Sequence, residues 1–161
     1  MDKLGFATLH QYDDRADYEV TLMSSPTNIV NGLPLPTALV EAIHAGRWIV
    51  PAHEKLRAAF PLEPIVHPLF YNLEGMLREN AGWQDETLES YLGRKCSSAY
   101  PGDIDPTKSV LIADLGPDRL IALDYRESQE SPGVVYLTGD IESQWIEAAP
   151  DIETLLSILD L

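Results

Sequence analysis

Residues 111–140 read LIADLGPDRLIALDYRESQESPGVVYLTGD, with aspartates at 114, 118, 124 and 140 set between runs of branched apolar residues. Read with the preceding serine and valine, the run resolves into SVLIADL and RLIALDY, each alternating or wholly apolar over a strand's length, separated by Gly-Pro-Asp. Gly116 supplies φ freedom and Pro117 fixes φ, so this pair is expected to close as a β-hairpin. GVVYLTG follows after the polar loop RESQESP, and QWIEAA follows after another turn. A four-stranded antiparallel meander over residues 109–149 is the expectation.

The chain then closes with PDIETLLSILDL. Pro150 suits a first helical turn and Asp151 and Glu153 favour a helix N-terminus. Ile152, Leu155, Leu156 and Leu159 fall on one stripe, which predicts a helix lying across the sheet.

Upstream, Leu39, Val40 and Ile43 follow helical spacing between Pro36 and Gly46, which predicts a helix near 36–45. HEKLRAAFP reads as a short helix stopped by Pro61, EPIVHPLF as extended chain, and NLEGMLREN as helical. DETLESYLGRK, near 85–95, opens with acids and closes with Arg94 and Lys95, as the helix dipole prefers. Residues 1–33 form an entry segment in which DYEVTLM alternates like a strand and SSPTNIVNGLP is dense in turn formers. No repeat, low-complexity run or linker divides the chain. The fold class expected is α+β: one domain of 1–161, with an N-terminal region 1–108 and a C-terminal meander and helix 109–161 forming a central, mostly antiparallel sheet flanked by helices.

A length of 161 residues with 45% hydrophobic content is enough for a core without a metal or disulfide. The single cysteine, Cys96, has no internal partner, and the first residues lack the basic start and apolar run of a signal peptide. A cytoplasmic, soluble protein is the expectation. The charge is more telling: 26 acidic against 11 basic residues give −15, and residues 112–161 carry 11 carboxylates with only Arg119 and Arg126 to oppose them. Such a field repels nucleic acid phosphates and anionic lipid, and it accelerates encounter with a basic protein.

Motifs for chemistry are missing where they would have to stand. HEKLR begins like a zinc-protease helix, but Arg57 occupies the place of the second histidine. His10, His44, His53 and His67 have no short ligand spacing. The aspartates of the opening stretch do not follow the alternation of a calcium loop. Neither a glycine-rich phosphate cradle nor a G-x-S-x-G elbow is present, and no cofactor or metal is implied. Cys96, flanked by Arg94 and Lys95, is the one candidate nucleophile for a small hydrolase, with no histidine nearby in sequence.

VLIADLGPDRLIALDYR, PGVVYL and WIEAAPDIETLLSIL, taken in order, resemble the end of SUKH superfamily proteins, the Smi/Knr-type domain. LPTALVEAIHAGRW resembles the early helix of that group. The chain departs from the pattern at Gly116-Pro117, where the group carries a glycine pair, and over residues 50–108. The resemblance implies an α+β fold and a non-enzymatic role: bacterial members act as immunity proteins that neutralise a cognate polymorphic toxin, and fungal relatives regulate cell-wall synthesis through protein contacts. The partner expected is a basic toxin domain, met by Asp114, Asp118, Asp124, Asp140 and Glu142. The alternative is a regulatory or scaffold protein binding an endogenous partner. Sequence leaves the oligomeric state open.

Overall fold

The computed structural model describes residues 28–140 and 142–161. It begins with a small hairpin, β1 (Ile29–Val30) and β2 (Leu33–Pro34), turned by Asn31 and Gly32 at φ 52° and 79°. Both central residues take positive φ, which is why Asn-Gly occupies the turn. The alternating segment DYEVTLM lies outside the described residues.

Helix α1 (Thr37–His44) starts after Pro36 and ends with Gly46 at φ 69°. Helix α2 (His53–Ala59) follows, then the edge strand β3 (Leu69–Phe70) and α3 (Leu73–Glu79), whose first turn is capped by the Asn72 side chain accepting from the Gly75 N–H at 2.7 Å. The helix expected near 85–95 is narrower than the acids and bases suggest: a 3₁₀ turn at Trp83–Asp85, then α4 (Glu89–Leu92) only. Glu86 explains the break, because its carboxylate accepts from the backbone N–H groups of Thr87 and Leu88 at 2.9 Å each, holding those residues out of the helical ladder. Strand β4 (Pro101–Gly102) and a 3₁₀ turn (Pro106–Lys108) lead into the meander.

The meander forms as the sequence predicts: β5 (Ser109–Asp114), β6 (Leu120–Asp124), β7 (Gly133–Leu137) and β8 (Trp145–Ala149) pair antiparallel with their chain neighbours. Its edges are extended by β3 beside β5 and β4 beside β8, giving six strands in the order β3-β5-β6-β7-β8-β4. The final helix, α5 (Ile152–Leu159), is capped by Asp151 accepting from the Thr154 N–H at 2.7 Å. It buries Ile152, Leu155, Leu156 and Leu159. Each such side chain contributes about 1.5–3 kcal/mol relative to exposure.

Directly opposed residues in an antiparallel ladder share a face. On one face Ile121, Tyr136 and Ile146 line up, and Phe60, at the end of α2, meets the Tyr136 ring edge-on at 5.6 Å. Helices α1 and α2 both pack on α5 here, and α5 also contacts β7 and β8. On the other face Leu111, Ala122, Val135 and Glu147 line up, with Asp124 and Gly133 at the next level. Its cover is a layer of short elements between residues 76 and 108. Trp83 sits edge-on to Trp145 at 6.4 Å and donates from Nε1 to Ser109 Oγ at 2.9 Å, while Trp145 Nε1 donates to the Tyr91 carbonyl at 2.7 Å.

This thin cover is held close by glycine. Gly93 bridges to Asp103, and a Cβ on Gly93 would stand 2.4 Å from the Gly102 carbonyl oxygen. Gly102, at φ 80°, leaves equally little room beside the Arg94 carbonyl. The two backbones cross at a spacing no side chain permits, and on the same sheet face Glu147 stays exposed.

Candidate functional site

The antiparallel path places the β5–β6 turn and the β7–β8 loop at one end of the meander and the β6–β7 loop at the other. The sequence-named carboxylates divide accordingly. Asp114, Asp118, Asp140 and Glu142 belong to the first end, whereas Asp124, last residue of β6, lies at the second.

At the first end the turn and the loop touch: a Cβ on Gly139 would come within 2.8 Å of both Arg119 Cγ and the Asp118 carbonyl oxygen. Asp118 takes φ 58° in the turn and accepts from the Tyr91 hydroxyl at 2.6 Å, a bond that raises the tyrosine's pKa. Asp118, Asp140 and Glu142 are exposed. Asp114 is not: it is half-buried, accepting from the Tyr71 hydroxyl at 2.9 Å and from the Gly116 N–H at 3.3 Å. Desolvation raises its pKa, the Tyr71 and Gly116 bonds oppose the rise, and the charge of Glu79 adds to it. The phenol beside it is pushed above its ordinary range by burial first and by Asp114 second, so the proton stays on Tyr71.

A stability test follows from that direction. With its folded pKa above the unfolded value, Asp114 favours folding while protonated, and this contribution is lost as pH rises through the folded pKa. Asparagine keeps the acceptor for Tyr71, gives up the longer bond from the Gly116 N–H and removes the charge. Asp114→Asn should therefore unfold at higher urea concentration than wild type at neutral pH, and the difference should shrink below about pH 4. A variant that unfolds at lower urea than wild type at neutral pH would contradict the assignment.

At the second end, the uncovered part of the sheet forms the floor of a cleft of about 810 Å³. Asp124, Gly133, Val135 and Glu147 make the floor, with residues 95–101 and the β6–β7 loop as walls. Among the described residues, four carboxylates line it (Asp103, Asp124, Glu127 and Glu147) against two cations, Lys95 and Arg126.

Arg126 organises the deep part. Its Nε and Nη2 donate to both Asp124 oxygens at 2.8–3.1 Å, Nη1 donates to Asp103 Oδ1 at 2.8 Å, and Nη2 also reaches the Asp103 carbonyl at 2.8 Å. Asp124 accepts the backbone N–H of Arg126 as well, at 3.1 Å. These bonds, led by those to Asp124, raise the pKa of the guanidinium against the opposing effect of burial. Between the pair, Tyr125 is buried and its hydroxyl donates to the Pro34 carbonyl at 2.8 Å, tying β6 to the first hairpin.

The cleft's outer part is less committed. Tyr100 is 59% exposed, its hydroxyl donating to Glu127, and that bond raises the phenol's pKa. Glu147 is exposed and pairs with no cation among the described residues. Cys96 lies on the wall, exposed, with Sγ 3.5 Å from Ser98 Oγ and 3.3 Å from Gln144 Oε1. Its bonds with Ser98 lower the thiol pKa. Among the described residues no histidine lines the cleft, so the imidazole that would activate a cysteine nucleophile is not at hand there. Nor, among those residues, do three His, Cys, Asp or Glu side chains converge as a metal site requires, and no helix is long and apolar enough to cross a membrane.

Of the residues that build this cleft, sequence reasoning named Asp124 alone as a binding residue. Arg126 was legible only in part, since Asp124-Tyr125-Arg126 at the end of a strand puts the outer two side chains on one face, whereas Asp103, 23 residues from Arg126, carried no such signal. Glu147, alone among apolar neighbours in WIEAA, was the other available signal. Comparison with family models, with curated proteins and with solved structures found no match for the chain.

Proposed function

We propose that this chain is a non-enzymatic protein-binding domain of the immunity type, whose acidic surface docks on a basic bacterial toxin domain and blocks it. The observation that carries the reading is charge: −15 overall, with Asp118, Asp140 and Glu142 exposed together at one end of the meander and an excess of carboxylates in the cleft at the other. The resemblance of the hairpin, the PGVVYL strand and the last helix to the SUKH group supports it. Asp114 and Asp124 are already engaged by Tyr71 and Arg126, so the exposed trio carries the attraction at the turn end.

Complementary fields raise association rates by about 10–10³, an advantage that salt removes. The test is to capture partners from the native host, express the captured protein alone and together with this chain, and follow growth. Immunity predicts arrest by the partner, rescue by co-expression, and an association rate that falls at least about tenfold from roughly 0.01 M to 1 M salt. A partner harmless on its own, or a rate indifferent to salt, would overturn the reading.

The exposed Tyr100 ring at the cleft favours a second reading, a regulatory or scaffold protein that holds an endogenous partner by an aromatic rim. A non-toxic partner captured through that ring would point to it.

A further inference from the structure

We infer that the cleft beside β7 and β8 is a receptor for an arginine or lysine side chain presented by a protein partner. The inference deepens the protein-binding reading and rests on it for one point only, that the occupant is carried by a protein.

Three independent properties of the cleft converge on this occupant. The first is its volume, about 810 Å³, room for a long side chain together with the backbone that presents it. The second is its charge after internal pairing. Arg126 is spent on Asp103 and Asp124, which leaves Glu147 without a cation among the described residues and Glu127 held only by a neutral phenol. An anion entering here would meet two carboxylates against Lys95 alone, whereas a guanidinium or ammonium meets acceptors. The third is the apolar surface between those acceptors. Pro101 and Pro150 at the cleft's sides and the Tyr100 ring offer contact for a methylene stem, and the ring face attracts a cation. A small metal ion has no use for that surface, and a neutral apolar ligand leaves the carboxylates desolvated without a partner. A long basic side chain uses both.

The local sequence accounts for the opening. Gly133 adds no side chain above the floor, and the covering layer leaves Glu147 exposed. Position 147 thus holds a carboxylate on the same sheet face where Trp145, two residues earlier, is fully buried.

The test uses N-acetyl-arginine amide as probe and its citrulline counterpart, equal in shape but uncharged, each titrated into the ¹⁵N-labelled chain. The arginine derivative should shift the backbone amides of Ser128, Gly133, Val135 and Glu147 saturably, and the citrulline derivative should not. Glu147→Gln should weaken binding about tenfold, the loss of one charge-assisted hydrogen bond. Tyr100→Leu, on an exposed ring, is the companion variant and should weaken it as well. Shifts spread equally over Asp140 and Glu142, equal response to both probes, or no effect of either variant would overturn the receptor. Because the probe needs no partner, a negative result here leaves the salt and rescue tests of the preceding subsection intact, and a positive one stands even when the partner is no toxin.

Discussion

Asn80→Ala should lower the free energy of unfolding by about 3 kcal/mol, seen as a shift of the urea midpoint and a fall in Tm of about 6–12 °C. The reason is where β3 ends. Strand β5 pairs with β3 only at Ala113 and Asp114, and Tyr71 N–H reaches the Ile112 carbonyl at 3.0 Å. One step further along, Leu111 has no strand of the described residues beside it on that side. Asn80, fully buried, takes the strand's place: its Nδ2 donates to the Leu111 carbonyl and its Oδ1 accepts from the Leu111 N–H, both at 2.8 Å. The same amide donates to Met76 O at 2.8 Å, closing α3. Alanine leaves two buried backbone groups of Leu111 unpaired, and each costs about 1–3 kcal/mol, partly offset because the carboxamide itself no longer needs desolvation. Asn80→Asp tests the donor separately, since it keeps the shape and loses Nδ2. Hydrogen exchange gives the local readout: the Leu111 amide should lose protection in Asn80→Ala beyond what global destabilisation explains. A cost below about 1 kcal/mol would show that water replaces the amide and that the ladder extension is not structural.

The same residue shows how far the sequence could be read. The meander and α5 were legible because both periods are strong: alternation or short apolar runs bounded by Gly-Pro-Asp and Ser-Pro-Gly, then a four-residue apolar stripe behind Pro-Asp. Residues 80–108 were not, because their conformation is set by contacts far off in the chain. Asn80 reads as an ordinary polar residue at a helix end until β5 is placed against it. Trp83 reads as core in any fold, but the hydrogen bond to Ser109 Oγ that orients it spans 26 residues. The span 85–95 looked helical by its terminal charges, which are worth only tenths of a kcal/mol, and a single carboxylate, Glu86, bound two backbone N–H groups and prevailed. The candidate site divided in the same way. Carboxylates at turns could be found from turn chemistry, but only the register of β6, β7 and β8 shows Asp124 and Glu147 on one face, at the opposite end of the meander from Asp118 and Asp140.

Arg126→Met should cost about 2–3 kcal/mol at neutral pH while strengthening the cleft's hold on a cation. Methionine keeps much of the length and the apolar stem, so the loss is that of the charge and of its hydrogen bonds to Asp124 and Asp103. Breaking a fully buried pair costs about 3–5 kcal/mol. Here the side chains of Arg126, Asp103 and Asp124 are 22%, 28% and 12% exposed, which lets water screen part of the repulsion left behind. A double-mutant cycle isolates the effect: with Asp124→Asn in place, removing Arg126 should cost at least about 1 kcal/mol less, because one of the two stranded carboxylates is already neutral. The consequence for function runs the other way. Wild-type Arg126 is paired with both Asp103 and Asp124 and offsets one of their two charges, so Glu127 and Glu147 are the carboxylates left without a cation to face an incoming side chain. Without it all four carboxylates do, and N-acetyl-arginine amide should bind the variant about tenfold or more tightly, provided the variant is studied below its unfolding transition. Stability and affinity moving in opposite directions is the signature of a guanidinium that belongs to the scaffold and competes with the ligand's charge. Should both fall together, Arg126 would instead be shaping the cleft, and the receptor would depend on its geometry more than on its net charge.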